Sequence, residues 1–275
     1  MRLVTVRTAT GTQAGRVEGE SVVLLPARDV NELLTDPSWA NAAAASGDTI
    51  PLDMTELAAV VPRPPKIICL GLNYMRHIRE MGHAPPDFPT IFAKYTESLI
   101  VPRDEIDMPA VAEQMDWEVE LGVVIGRAAR NVRADSALDH VAGYTVVNDI
   151  SARDWQRRTT QFLQGKTFEH TTPVGPWLVS ADELPAGGTG LAVRCEVDDV
   201  VMQEDTTADM IFSVADAIAY LSQILTLQPG DLIAMGTPNG VGAGRTPPQF
   251  LQSGQTVRTI IDGIGELVNV CGERR

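Results

Sequence analysis

The sequence predicts an α+β fold that is mainly β, in a chain of 275 residues. Short apolar runs rich in β-branched residues, such as Val119–Ile125, outnumber the stretches with helical periodicity. These runs do not alternate regularly with helices, which argues against a doubly wound parallel sheet. The prolines within residues 60–65 cannot lie inside a helix. We therefore expect a small N-terminal domain over residues 1–62 and a main domain over residues 63–275.

The N-terminal residues carry two strand signals followed by one helical signal. Apolar residues at the start of the chain, and again at Ser21–Leu25, predict short strands that are separated by glycine turns. Asp29 can cap a helix over residues 29–46, because the first apolar residues after it share one helical face. The segment is thus expected to be a small α/β unit.

The main domain contains the remaining candidate elements. The candidate strands are Ile67–Leu70, Ile91–Ala93, Val119–Ile125, Gly143–Asp149, Leu191–Val197 and Asp231–Met235. The candidate helices are Tyr74–Met81, Ala152–Leu163 and Val214–Leu225. The last helix follows Ser213, and Asp216 three residues later completes a capping-box pattern.

Composition narrows the classes of function. The 22 Lys and Arg against 36 Asp and Glu give a net charge of −14, which argues against a nucleic-acid surface but permits a locally positive pocket for a small anion. The three cysteines lack the spacing of a zinc site or a disulfide framework. The N-terminus lacks a signal-peptide pattern, and no apolar run is long enough to span a membrane. We therefore expect a cytoplasmic protein without a membrane partner.

Two glutamates, Glu118 and Glu120, lie two residues apart in a predicted strand. Side chains at i and i+2 point to one face, so these carboxylates should project together, opposite the apolar residues that begin with Val119. Two buried carboxylates repel each other and need a positive partner. An all-oxygen site suits Mg²⁺ or Mn²⁺ best, with Ca²⁺ as a further option. The alternative is a solvated strand face, on which paired acids are common.

Asp149 stands at the end of the strand predicted over Gly143–Asp149, a position suited to a metal ligand or a base. Ser151 and Asp154 match a capping box, which predicts a helix start near Ala152 and gives Asp154 a structural role. The alternative for Asp149 is a residue that only forms the turn between strand and helix.

His77 and Glu80 are neighbours on one face of a predicted short helix, which Asn73 can cap and Gly82 can end. A carboxylate beside an imidazole fixes the tautomer of the ring and makes it a usable general base. The alternative for this pair is an ordinary salt bridge on a helix surface.

Two glycine-containing segments fail to match nucleotide-binding motifs. Residues 165–167 match the Gly-Lys-Thr that ends a phosphate-loop motif, but Thr160 occupies the position of the first glycine that this motif requires. Residues 236–244 lack the GxGxxG order and a βαβ setting. Their glycines would nevertheless let the backbone approach a ligand closely. The sequence also lacks the GxSxG elbow of a serine hydrolase.

Taken in order, six segments within residues 65–270 resemble the fumarylacetoacetate hydrolase superfamily, and within it the bacterial branch of acylpyruvases and 2-oxo acid hydratases, isomerases and decarboxylases. The segments are residues 70–74 with His77 and Glu80, Phe92–Lys94, Glu118–Glu120, Asn148–Asp154 with Gln156, Gly165–Lys166 and Met235–Gly242. Tyr95 departs from the family pattern, in which proline often follows the lysine.

The resemblance implies a mixed β-roll catalytic domain of the fumarylacetoacetate hydrolase type, with a small N-terminal α/β extension, and usually a homodimer. It implies Mg²⁺ or Mn²⁺ bound by Glu118, Glu120 and Asp149. It also implies three catalytic residues, which are His77 and Glu80 on a short helical lid, and Lys166. The substrate would contact Tyr74, Lys94, Gln156 and Thr237.

The expected activity is hydrolysis of a carbon–carbon bond in a small anionic 2,4-dioxo acid, of the acylpyruvate or fumarylpyruvate type. In this scheme the metal stabilises an enolate, His77 and Glu80 activate the attacking water, and Lys166 holds the developing oxyanion. The alternatives on the same scaffold are oxaloacetate decarboxylation, and isomerisation or hydration of unsaturated 2-oxo dicarboxylates in aromatic-compound catabolism. A non-catalytic carboxylate-binding protein is the alternative from another class.

Overall fold

The computed structural model describes residues 1–53 and 56–275 and confirms an α+β fold that is mainly β. Its strands are β1 (Arg2–Thr8), β2 (Gly11–Glu18), β3 (Ser21–Leu24), β4 (Thr49–Pro51), β5 (Ile67–Gly71), β6 (Thr90–Lys94), β7 (Leu99–Ile100), β8 (Ile106–Met108), β9 (Met115–Asp116), β10 (Val119–Ile125), β11 (Val141–Asn148), β12 (Ser151–Ala152), β13 (Thr172–Ser180), β14 (Ala192–Val197), β15 (Val200–Thr206), β16 (Leu232–Ala234), β17 (Thr256–Ile261) and β18 (Gly265–Arg274). Its α-helices are α1 (Val30–Thr35), α2 (Trp39–Ala43), α3 (Met75–Glu80), α4 (Arg153–Gln156), α5 (Leu163–Lys166) and α6 (Val214–Ile224). Within the described ranges, no helix is both long and apolar enough to cross a membrane.

Most strands form one large mixed sheet in the order β4-β3-β2-β1-β13-β11-β10-β16-β5-β6, with β7 paired to β13 beside this path. A second sheet has the order β15-β14-β17-β18-β8, and β9 and β12 form a separate two-stranded pair. In the large sheet β10 lies between β11 and β16, antiparallel to both, whereas β16 and β5 are parallel. Side chains on β10 are therefore flanked by neighbouring strands on both sides.

The alternation predicted for β10 places its two faces in two different hydrophobic clusters. Val119, Leu121 and Ile125 pack in the larger cluster, together with residues of the five-stranded sheet and α6. Val124, on the other face, packs in a second cluster with residues of α1 and β1. All of β10 is buried, and burying one such aliphatic side chain stabilises the fold by about 1.5–3 kcal/mol. Packing on both faces therefore holds β10, and the polar residues in it, in a fixed position.

The N-terminal strands continue the large sheet. β1 pairs antiparallel with β13, with Arg2 opposite Val179 and Leu3 opposite Leu178. Leu3 and Leu178 belong to one hydrophobic cluster. The strands predicted at both ends of residues 1–25 are thus present, and they share a sheet with later strands. The division after residue 62 stays a prediction.

Local capping signals are confirmed at two helices. The capping box of Ser213 and Asp216 is present at the start of α6, and Asp29 caps α1 by accepting a hydrogen bond of 2.7 Å from the Glu32 N–H. The helix predicted over residues 29–46 is instead the two short helices α1 and α2. Pro37 lies between them, has no N–H to donate and disfavours helical backbone at the residue before it.

Two other capping predictions are wrong, in each case because a distant partner takes the capping residue. Ser151 and Ala152 form β12 and pair with β9. Of the helix predicted over Ala152–Leu163 only α4 forms, and the separate α5 begins at Leu163, where the prediction ended. Asp154 accepts a hydrogen bond from the Glu113 N–H instead of closing a capping box. Asn73 donates to the carbonyls of Phe212 and Met235 and does not cap α3.

Candidate active site

Three buried carboxylates meet where β10 and β11 lie side by side. Glu118 immediately precedes β10, Glu120 lies within it, and Asp149 follows β11 directly. The Asp149 N–H donates to the Glu118 carbonyl at 2.9 Å, which brings the two strand ends together. One oxygen from each carboxylate lies within 4.8 Å of the others. The predicted projection of Glu118 and Glu120 to one face is confirmed, and the alternative of a solvated face is wrong, because both side chains are buried.

Two buried lysines neutralise part of this charge. Lys94, from β6, places its Nζ 2.5 Å from Asp149 Oδ1, and Lys166, from α5, places its Nζ 2.5 Å from Glu118 Oε2 and 2.9 Å from Asp149 Oδ2. Burial disfavours the charged form of Lys166, but Asp149 and Glu118 outweigh it and raise the pKa of this ammonium. Lys166 therefore remains cationic at the centre.

An arginine and an aspartate that sequence reasoning did not select complete the polar cluster. Arg153 Nη2 lies 2.6 Å from Glu118 Oε1, and its Nε donates to Asp116 Oδ2 at 2.8 Å. Asp116 also accepts hydrogen bonds from the N–H groups of Gly242 and Ala243. Asp116 continues the i, i+2 alternation of the two glutamates backwards by one step, so the sequence did contain a signal for it. Nothing in the sequence indicated that Arg153 would be its partner.

Glu118 and Glu120 differ in how their charge is compensated. Burial alone would raise the pKa of Glu118, but Lys166 and Arg153 hold it at about 2. Burial, Asp149 and Glu118 together raise the pKa of Glu120 well above its usual range. Glu120 accepts a hydrogen bond of 2.8 Å from the Gly236 N–H, and no ion pair joins it to a described Lys or Arg.

The three carboxylates fit a divalent metal ion. Their ligand atoms are close enough to share one ion, and an all-oxygen donor set suits hard cations such as Mg²⁺ and Mn²⁺. A buried carboxylate that lacks a cationic partner is costly, and a bound cation removes that cost. Glu118, Glu120 and Asp149 could therefore hold a divalent ion at this position.

His77 and Glu80 form a largely buried pair on α3. His77 Nδ1 lies 3.1 Å from Glu80 Oε2, and Glu80 Oε1 accepts a hydrogen bond of 2.9 Å from the Gly240 N–H. The side chains are 9% and 20% exposed, so the pair is largely shielded from solvent. Its role as a general base stays a prediction. An ionised Glu80 requires a proton on Nδ1, which leaves the His77 Nε2 free to accept a proton.

Residues 236–244 bring backbone N–H groups to the carboxylates around the centre. Gly236 donates to Glu120, Gly240 donates to Glu80, and Gly242 donates to Asp116. Gly236 has a φ of +89°, and a Cβ there would lie 2.9 Å from the Leu70 carbonyl oxygen. The loop therefore approaches the protein's own carboxylates closely, and its predicted approach to a ligand stays a prediction.

A cavity of about 300 Å³ opens onto this cluster. Its polar wall consists of His77, His83, Glu118, Glu120, Arg153, Gln156, Arg157, Thr159, Thr160, Lys166 and Thr237. Its apolar wall consists of Leu70, Leu72, Met81, Phe92 and Phe162, with Gly71. Of the predicted site residues, six line this cavity: His77, Glu118, Glu120, Gln156, Lys166 and Thr237.

The other four predicted site residues lie behind the wall. Asp149 and Lys94 are bonded to each other there, and Glu80 supports His77. Tyr74 is fully buried and does not line the cavity, and its hydroxyl lacks a hydrogen-bond partner within the described chain. Burial and the nearby Glu120 raise the pKa of Tyr74, which keeps it neutral.

Comparisons with known proteins agree on one family. Residues 66–271 match the family described as fumarylacetoacetate (FAA) hydrolase, C-terminal. The human protein named oxaloacetate tautomerase FAHD2A, mitochondrial, is 43% identical over 230 residues, which cover 83% of this chain and 73% of that protein.

Two solved structures align with the whole chain. A fumarylacetoacetate hydrolase from Exiguobacterium antarcticum is 30% identical, with a TM-score of 0.86 and 100% of both chains covered. A 5-carboxymethyl-2-hydroxymuconate delta-isomerase from Mycobacterium smegmatis is 31% identical, with a TM-score of 0.81 and the same coverage.

Proposed function

The chain belongs to the fumarylacetoacetate hydrolase family, and from this premise we propose that it is a metal-dependent hydrolase that cleaves a carbon–carbon bond in 2,4-dioxo acids of the acylpyruvate or fumarylpyruvate type. One observation carries the proposal. A histidine whose tautomer is set by a carboxylate lines the same cavity as two of three clustered carboxylates. Hydrolysis at a metal centre needs this combination of a cation site and a base.

Glu118, Glu120 and Asp149 would hold the ion, which we take to be Mg²⁺ or Mn²⁺. When bound, the ion would supply a Lewis acid for the carboxylate and 2-oxo oxygens of the substrate. The remaining steps belong to residues of the chain. Lys166, Gln156 and Thr237 line the cavity, so they would bind and orient the anionic substrate.

His77 would move the proton that the reaction requires. Its Nε2 would take a proton from water, while the water oxygen attacks the distal carbonyl carbon. The bond between that carbon and the adjacent methylene then breaks, and the methylene carbon keeps the electron pair. Transfer of the proton from His77 to this carbon gives pyruvate and a second carboxylic acid. Lys166 would stabilise the negative oxygen that forms on the attacked carbon.

Tautomerisation, isomerisation or decarboxylation of a 2-oxo dicarboxylate is the second candidate function. Two similar proteins are named a tautomerase and an isomerase. For tautomerisation or isomerisation, a proton moved to or from carbon by His77 would be sufficient. Decarboxylation would instead break the bond to the leaving carboxylate, release CO₂ and end with a proton transferred to the enolate carbon, and none of these reactions needs an attacking water. Arg157 favours a substrate with a second carboxylate. It lines the cavity and forms no ion pair with a described carboxylate, so its charge would be available to the substrate.

We also propose a cytoplasmic homodimer that acts on small 2-oxo acids, in aromatic-compound catabolism. An exposed apolar patch supports self-association. Ile91 in the edge strand β6, Tyr95 directly after it and Ile224 at the end of α6 line one surface depression, and they are 38%, 56% and 57% exposed. Light scattering coupled to size-exclusion chromatography measures the oligomeric state. Residues 1–62 would serve as a structural extension of the catalytic domain.

A substrate panel tests the proposed function. Chelator-treated protein receives Mn²⁺ or Mg²⁺ and is assayed for pyruvate release from acylpyruvates, CO₂ release from oxaloacetate, and enol–keto conversion of oxaloacetate. Metal-dependent pyruvate release from acylpyruvates is the expected result. Exclusive CO₂ release or enol–keto conversion would replace the hydrolase assignment with the second candidate. Turnover that persists after the metal has been removed would contradict both.

A further inference from the structure

We propose that Gln203, which lies outside the cavity wall, is a positioning residue that forces the Thr237 hydroxyl to donate its proton into the cavity. Gln203 belongs to β15 of the five-stranded sheet and is 1% exposed. Thr237 lines the cavity in the loop that follows β16. The proposal rests on the proposed function in one respect, since it takes the ligand of this cavity to be an anionic 2-oxo acid.

The orientation of the Gln203 amide is fixed by two backbone groups. The Val119 N–H donates to Gln203 Oε1 at 3.0 Å, and Gln203 Nε2 donates to the Pro238 carbonyl at 2.9 Å. A backbone N–H can only donate and a carbonyl can only accept, so the amide cannot be reversed. Its second Nε2 hydrogen points to Thr237 Oγ1 at 2.8 Å. All three bonds are buried, and Gln203 therefore has no freedom to accept a proton from Thr237.

The Thr237 hydroxyl is consequently left with a proton to donate. A hydroxyl has one donor, and the bond from Gln203 occupies an acceptor position on Oγ1. In the chain as described, no acceptor receives the Thr237 proton. The side chain faces the cavity, and the preceding Gly236 N–H is already bonded to Glu120 beside it. The proton is therefore available to an anionic oxygen of the ligand.

Fixing the hydroxyl in advance improves binding of an anion. A free threonine hydroxyl can turn either a lone pair or its proton towards the cavity, and a lone pair repels a carboxylate. Gln203 removes that choice before the ligand arrives, so the donor is preorganised. Gln203 is also bonded to β10, because it accepts the hydrogen bond from the N–H of Val119. Val119 lies between Glu118 and Glu120. One buried amide thus joins the carboxylate strand to the loop of residues 236–244.

A double-mutant cycle tests the proposal on the Mn²⁺-loaded full-length protein. Q203M keeps the shape of the side chain but cannot donate, and T237V removes the hydroxyl. We expect Q203M and T237V each to raise KM about tenfold for the best substrate of the panel, with kcat little changed, as for the loss of one hydrogen bond to a charged group. Q203M in the T237V background should raise KM no further. An equal rise in both backgrounds would overturn the proposal.

N269L is the matched control for loss of a buried amide. Asn269 is 2% exposed, donates to the carbonyls of Val101 and Asp104, and does not line the cavity. We expect N269L to lower Tm as Q203M does, while KM stays unchanged. A KM rise in N269L as large as that in Q203M would mean that general loosening is responsible, and would overturn the proposal.

Two further measurements keep the test decisive. Q203E would accept the Thr237 proton, so we expect a larger KM rise than in Q203M, and this variant replaces Q203M if the latter fails to fold.

If no panel compound is turned over, the proposed function fails separately, and oxalate serves as the anionic probe. Calorimetry would then show about tenfold weaker oxalate binding in Q203M, and again no further loss in the T237V background. Unchanged oxalate binding in Q203M would overturn the role of Gln203.

Discussion

Glu118 and Glu120 lie two residues apart on one strand face, and both are buried, yet their surroundings are opposite. Glu118 has a cation at each oxygen, with Arg153 Nη2 at 2.6 Å and Lys166 Nζ at 2.5 Å. Glu120 has a backbone hydrogen bond from Gly236 and no ion pair with a described side chain. Burial opposes ionisation of both carboxylates, but the cations hold the pKa of Glu118 at about 2, whereas that of Glu120 is raised.

The difference separates what stabilises the centre from what attracts a ligand. We call Glu118 and Asp149, with their lysine and arginine partners, the paired half of the centre, and Glu120 the unpaired half. The paired half is neutralised by the protein itself, so it can be buried without a ligand. The unpaired half has no cationic partner among the described side chains, so its ionised form is disfavoured until a divalent ion binds. The predictions below test this division, beginning with the largest expected effect.

Removal of one glutamate from either half of the centre should abolish metal-dependent turnover. For E118A and E120A we expect turnover to fall by about 10⁴-fold, because the Lewis acid contributes several kcal/mol to the reaction. Mn²⁺ affinity, measured by calorimetry, should fall with it. E196Q is the control, because Glu196 is also a buried, arginine-paired glutamate but lies outside the cavity. Full Mn²⁺ affinity in E120A would remove the unpaired half from the metal centre.

His77 should affect the reaction without belonging to either half. We expect H77A to lower turnover by about 10³-fold, the usual effect of losing a general base, while Mn²⁺ content stays the same. E80Q should have a smaller effect, because the ring remains but its tautomer is no longer set by an ionised carboxylate. Metal content is measured by elemental analysis beside the kinetics. Parallel loss of metal and turnover in H77A would make His77 a metal ligand.

The sequence could predict those parts of the centre that depend on local geometry. The common face of Glu118 and Glu120 follows from the two-residue period of a strand, and the capping box at Ser213 needs only its own helix. The similar pattern at Ser151 failed because a strand pairing with Asp116 took that residue. Short-range patterns are therefore reliable only where no distant segment competes for the same backbone groups.

The compensation of charge could not be predicted, because it depends on contacts between distant parts of the chain. Arg153 is 37 residues from Asp116 in the sequence, and Lys94 is 55 residues from Asp149. The motif that contains both glutamates treats them alike, and only the folded chain places Arg153 and Lys166 beside one of them. The same reason hides the bond from Gln203 to Thr237, 34 residues apart.

Stability without metal should distinguish the two halves directly. In chelator we expect E118Q to lower the free energy of unfolding by about 3 kcal/mol, because Arg153 and Lys166 lose a buried partner. E120Q should leave it unchanged or raise it, because it removes a buried acid whose ionisation is opposed by burial, Asp149 and Glu118. Urea denaturation of both variants measures the difference. Equal destabilisation by the two substitutions would show that Glu120 is compensated in the folded protein after all.

Arg157 is the cationic counterpart of Glu120, because it lines the cavity and forms no ion pair with a described carboxylate. If it binds a second carboxylate of the substrate, R157Q should raise KM about tenfold for 2-oxo dicarboxylates and leave KM for monocarboxylic 2-oxo acids unchanged. R158Q is a close control, because the neighbouring Arg158 guanidinium lies 3.5 Å from the centre of the Trp155 ring and does not line the cavity. An equal change in KM for both acid classes would limit Arg157 to general attraction of anions, which added salt should weaken.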